Sequence, residues 1–153
     1  MNKIVFYFCF LILFGCSGYE PLFSKKNTSF YIESIENVNG DNITKKISRN
    51  LNSNKLKSSD KNNYKLKITS TMQDKITSKD SRGNALTNEV SIDVMVNVYN
   101  DNSNVPFNTF RISDSFIYNN RQNKFDLNQY KKNILQNALN KVSQDIIIKL
   151  ETL

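Results

Sequence analysis

The stretch LTNEVSIDVMVNVY, Leu86–Tyr99, alternates with a period of two: Val90, Ile92, Val94, Val96 and Val98 fall on one side, Ser91, Asp93 and Asn97 on the other. Successive strand side chains point to opposite faces, and β-branched residues suit a pleated, half-buried surface, so the stretch reads as an antiparallel strand with one wet face. Working outward, Tyr64–Met72 repeats the pattern, with Tyr64, Leu66 and Ile68 set against Lys65, Lys67 and Thr69, and the alternation carries on to Ile76. Between the two lies KDSRGN, residues 79–84, which has hairpin-turn chemistry because Gly83 and Asn84 tolerate positive φ. On the far side, Phe107–Tyr118 places Phe110, Ile112, Phe116 and Tyr118 on one face. Asp114 interrupts that face, which predicts a bulge. Ser29–Glu36 also alternates and reads as the first strand.

Two segments carry helical spacing instead. Asp41 is a natural N-cap for Ile43, Ile47 and Leu51, a pattern that fades after Asn52 into the polar loop Ser53–Asn63. Near the C-terminus, Leu127, Tyr130, Ile134, Ala138, Val142 and Ile146 recur at three- and four-residue spacing. Asp126 is the expected cap there, with Gln129 completing a capping box and Phe125 and Tyr130 in staple positions. The expected architecture is α+β in the order β-α-β-β-β-α. It is a four-stranded, largely antiparallel sheet with two helices packed on one face and a polar face opposite.

Composition narrows the chemistry. The chain has 153 residues with no His and no Trp, so His-centred acid–base catalysis and His metal ligation are excluded. The two cysteines, Cys9 and Cys16, both fall in the N-terminal sixteen residues, which leaves no thiol for a disulfide, a thiolate nucleophile or a metal site further on. The net charge of +7 comes from lysines scattered over polar faces. It reads as solvation, and no nucleic-acid partner is expected.

The first residues form a separate unit. Lys3, the apolar run Ile4–Phe14 and then Gly15 and Cys16 make the tripartite pattern of a secretory signal. The apolar run is too short for the ~20 residues that a spanning helix needs. Leu13-Phe14-Gly15-Cys16 fits a lipobox: the signal, residues 1–15, is removed and Cys16 carries the lipid, a diacylglycerol thioether with a further acyl chain such as palmitate on the freed amine. Residues 16–28 then form an anchor and tether, and residues 29–153 one periplasmic α+β domain. Ser17 in place of Asp after the cysteine favours delivery to an outer membrane.

The run Cys16-Ser17-Gly18-Tyr19-Glu20-Pro21-Leu22-Phe23 resembles the start of the lipopolysaccharide-assembly lipoproteins, the small subunit of the outer-membrane lipopolysaccharide translocon. Gly18, Tyr19, Pro21, Leu22 and Phe23 match in order, and Ser17 is one residue extra. The resemblance implies a non-enzymatic plug. It would sit within a large outer-membrane β-barrel partner, assist the barrel's assembly and contact lipopolysaccharide, with the lipid on Cys16 anchoring it and with no cofactor or metal besides. Tyr19, Pro21, Leu22 and Phe23 are then expected to pack against the domain or the barrel. No motif transfers individual lipopolysaccharide contacts, and from this sequence Lys75, Lys79 and Arg82 near the hairpin are the candidates for a phosphate. Two other readings stay open: a lipid carrier with a hydrophobic cavity, and an anchored enzyme using Asp93 and Asp114 as a carboxylate pair.

Overall fold

The Leu86–Tyr99 stretch lies in one of the two central strands of the sheet. In the computed structural model, which describes residues 30–52, 62–100, 103–121 and 123–153, the elements are β1 (Phe30–Asn37), α1 (Asn42–Asn52), β2 (Asn62–Lys79), β3 (Ala85–Asn100), β4 (Asn108–Asn119) and α2 (Lys124–Glu151). Cys16, the tether residues Tyr19, Pro21, Leu22 and Phe23, and most of the loop after α1 lie outside the described residues.

The sheet order is β1-β2-β3-β4. β2 with β3 and β3 with β4 are antiparallel, but β1 pairs with β2 in parallel, Phe30 beside Asn62 and Asn37 beside Ile68. The sheet is therefore mixed, which corrects the expectation of a largely antiparallel one. The physical reason is the connection: a helix-bearing crossover carries the chain back to the end where β1 began, so the next strand runs the same way.

Local details differ from the sequence reading in three further places. β2 starts at Asn62 and runs to Lys79, taking the last two residues of the expected loop and continuing past Ile76. Its register shifts lie between Ile76 and Lys79, while β3 and β4 pair without interruption from Thr87 with Asn119 to Val98 with Asn108. Asp114 therefore makes no bulge. It keeps its inward position because Lys141 of α2 reaches it at 2.8 Å, so the ion pair compensates the charge that a bulge would have turned away. The cap of α2 is Asn123, whose side chain accepts the Phe125 N–H at 2.9 Å, and Asp126 lies within the first turn.

The core forms on one face. Tyr64, Leu66 and Ile68 of β2, Val90 to Val98 of β3 and Ile112 of β4 join Ile43, Ile47 and Leu51 of α1 and Leu139, Val142 and Ile146 of α2 in a single buried cluster. The opposite face carries cross-strand ion pairs, Lys65 with Glu33, Lys67 with Glu36 and Arg111 with Asp93. One polar node crosses the interior. Asp41 caps α1 by accepting the Thr44 N–H at 2.6 Å, Ser70 of β2 donates to its other oxygen at 3.0 Å, and the Thr44 and Ser70 hydroxyls meet at 2.6 Å.

The β2–β3 turn closes as its chemistry requires. Asp80 accepts the Arg82 and Asn84 N–H groups and the Asn84 side-chain amide, while Gly83 takes φ +85°. Asn84 does not need positive φ. A Cβ on Gly83 would meet nothing within 4 Å, so any penalty for Gly83→Ala comes from the backbone alone. The expected loss is about 1 kcal/mol of unfolding free energy, read from denaturant midpoints, with no change in fold.

Candidate functional site

Among the described residues, polar and charged side chains gather in several places where something could bind, and three of them bear on the residues singled out from sequence. The first is the hairpin proposed from sequence. Lys75 stands on the solvent-facing side of β2 and is held by Glu89 of β3 at 3.0 Å. The Lys75 hydrogen bond keeps the Glu89 carboxyl below its ordinary range. Lys79 is the last residue of β2, four positions and about 13 Å of strand further on, and Arg82 sits in the turn itself. Among the described residues neither Lys79 nor Arg82 has an ion-pair partner. The tip therefore presents two cations outside any ion pair, with the Asp80 carboxylate between them in sequence, and Lys75 is engaged by Glu89 below.

A cavity of about 140 Å³ lies between the helix side of the sheet and the N-terminal half of α2. Met72, Val90, Phe116 and Leu135 supply its apolar wall. At its rim Asp74 accepts hydrogen bonds from Lys131 at 2.7 Å and from the Tyr118 hydroxyl at 3.1 Å. The Lys131 ammonium also lies 5.0 Å from the centre of the Tyr118 ring. The hydrogen bond to Asp74, and then the one with Tyr118, raise the Lys131 pKa, so the ammonium keeps its charge across the physiological range. Sequence reading missed this cluster. Its only signal was a carboxylate at an inward position, between Met72 and Ile76, which implies a partner from another element without saying which.

The third region is the solvent-facing side of β3 and β4. Asp93 accepts from Ser113 and from Arg111, and these bonds, the Ser113 one foremost, lower its pKa. Asp93 pairs with Ser113 in register and Asp114 with Ile92, so the two aspartates stand on opposite faces of the sheet and form no carboxylate pair. Among the described residues no group of three or more His, Cys, Asp or Glu side chains is placed to hold a metal ion. No helix there is long and apolar enough to cross a membrane.

This arrangement, a four-stranded mixed sheet crossed on one face by a short and a long helix, is a fold found among bacterial lipoproteins. Rare lipoprotein B from Shewanella oneidensis superposes with a TM-score of 0.55 at 16% identity, over 78% of this chain and 95% of that one. Lipoprotein B of Nitrosomonas europaea, described as uncharacterized, gives 0.64 at 13% identity over 88% and 90%. A minor lipoprotein from Acinetobacter baumannii gives 0.56 at 13% over 81% and 92%. At these identities the likeness is one of fold. No protein-family model and no curated protein sequence matches the chain.

Proposed function

We propose that this chain is a lipid-anchored lipoprotein of the outer membrane that serves as the non-enzymatic plug and assembly subunit of a lipopolysaccharide translocon. The observation that carries the reading is a coincidence within one chain. The lipobox and the Gly18-Tyr19-Glu20-Pro21-Leu22-Phe23 segment precede a domain whose fold recurs, over most of its length, in bacterial lipoproteins. On this reading Cys16 holds the acyl chains, and two or three chains at ~0.8 kcal/mol per buried methylene give durable anchoring. The partners are a large outer-membrane β-barrel and lipopolysaccharide.

The lipid-carrier reading draws on the cavity beneath Met72 and Phe116. At about 140 Å³ it is smaller than the ~300 to 1,000 Å³ of ordinary ligand pockets. The rest of the interior is filled by Val94, Val96, Val98, Leu139 and Val142, all fully buried. A subunit role therefore fits the interior better than a carrier role.

Extraction of the tagged full chain in mild detergent, with mass spectrometry of its partners and of its N-terminal peptide, tests the proposal. The expected result is a stoichiometric β-barrel protein and an acylated Cys16 at the mature N-terminus. A purified chain with a bound acyl chain and no barrel would favour the carrier, and an unmodified Cys16 would remove the anchor.

A further inference from the structure

The two edges of the sheet are built differently. β1 spans eight residues, carries a register shift between Ile32 and Ser34, and bears Glu33 and Glu36. Short length, bulges and charges are the means by which edge strands resist pairing with another chain. β4 is neither short nor bulged. It runs twelve residues, Asn108–Asn119, with no Pro, no Lys and no break in register. Its two charges are compensated within the fold, Arg111 by Asp93 and Asp114 by Lys141, as Glu33 and Glu36 of β1 are by Lys65 and Lys67, so length and the unbroken register are what set β4 apart.

The free backbone groups can be assigned. The Asn120 N–H donates to the Leu86 carbonyl at 2.8 Å, continuing the ladder between β4 and β3. Bonding alternates every second residue in an antiparallel pair, so even-numbered residues of β4 bond to β3. The odd-numbered residues, Thr109 to Ile117, aim their N–H and C=O groups outward, and no strand among the described residues meets them.

We infer that this edge is an interface for a second copy of the chain, joined β4 to β4 antiparallel about a two-fold axis through Ser113. The pattern of β4 is complementary to itself in that register. Phe110 of each copy would lie across from Phe116 of the other on the helix side, where both are only partly buried in the single chain. Arg111 would face Ser115, Thr109 would face Ile117, which is 65% exposed, and Ser113 would face itself. No like charges oppose. Centring the axis on Arg111 or Asp114 instead would set each charge against its own copy, which the cross-strand rule disfavours. The chosen register overlaps almost the whole strand and forms about ten main-chain hydrogen bonds. It joins two four-stranded sheets into one of eight strands. The inference is independent of the translocon reading, since it uses the edge of the folded domain alone.

The test uses the full chain in mild detergent. Light scattering on the fraction free of any barrel protein should give a polypeptide mass twice that of the monomer, and Ser113→Cys should form a disulfide-linked dimer on mild oxidation, because a self-facing pair has Cα atoms about 5.5 Å apart. Thr71→Cys, on the same face but two strands inland, would stand about 24 Å from its mate and should not cross-link, which controls for two chains sharing a micelle. Ser115→Pro removes an outward N–H, and Ser113→Lys keeps the backbone while placing like charges across the axis. Both should elute as monomers with unchanged circular dichroism. A monomeric wild type, cross-linking no stronger at position 113 than at 71, or a dimer that survives Ser113→Lys would each overturn the inference.

Discussion

Leu139→Ala should remove about 3 kcal/mol of unfolding free energy, within the 2–5 kcal/mol seen when a buried leucine is cut to alanine. Leu139 is fully buried on α2, in the cluster that joins both helices to the sheet. The loss combines the transfer energy of the removed methyl groups with the cost of the space left behind, and a helix fixed on a four-stranded sheet has little freedom to collapse into it. Against a domain stability of about 5–15 kcal/mol, a loss of that size moves the urea midpoint far outside measurement error. Phe125→Ala on the same helix is the control: Phe125 is 73% exposed, so its truncation should change stability by less than about 0.5 kcal/mol. Equal effects at the two positions would mean that α2 does not lie on the sheet as described.

The second large effect is expected at Asp41. Replacing it with Ala deletes the cap of α1, leaving the Thr44 N–H without its acceptor and the Ser70 hydroxyl with the Thr44 hydroxyl alone, for a combined loss of about 2 kcal/mol. The same residue predicts a pH dependence. Burial opposes ionisation of Asp41, but hydrogen bonds from the Thr44 N–H and hydroxyl, the Ser70 hydroxyl and the Ile43 N–H outweigh it, and the carboxyl titrates below its usual 3.8. A depressed pKa stabilises the fold fully above the unfolded value and is lost as pH falls through the folded one. Wild-type stability should therefore fall below pH 3.8 more steeply than that of Asp41→Ala. Parallel acid limbs in urea melts of the two proteins would show that Asp41 carries no such linkage.

The sequence was most informative where structure is local. The alternation Val90 to Val98 placed β3 and its buried face correctly, because strand period and burial are the same signal at a sheet centre. Asp41 was recognisable as a cap because its acceptor role lies three residues from its donor. The parallel pairing of β1 was not visible in its own eight residues. It follows from where the crossover returns the chain, which is a property of the assembled layers. The cap of α2 was misplaced because Asn123, Asp126 and Gln129 supply two overlapping start signals, and the helix takes the earlier one. The rim of Asp74, Tyr118 and Lys131 spans 57 positions between its carboxylate and its ammonium, a separation that no local pattern bridges.

The direction of β1 also gives the sheet two chemically different ends. Because β1 runs with β2, Phe30 stands beside Asn62 at one end of the sheet, together with the stacked rings of Phe30 and Tyr64 and the neighbouring Phe107. The turn at Asp80–Asn84 lies at the other end, about 56 Å away along β2. On the proposed reading of Cys16 as the anchor, the chain enters the domain at Phe30, on the aromatic end, and Lys79 and Arg82 lie at the opposite end of the sheet. An anion meeting Lys79 or Arg82 and an apolar group meeting Phe30, Tyr64 or Phe107 would therefore engage opposite ends of the same sheet.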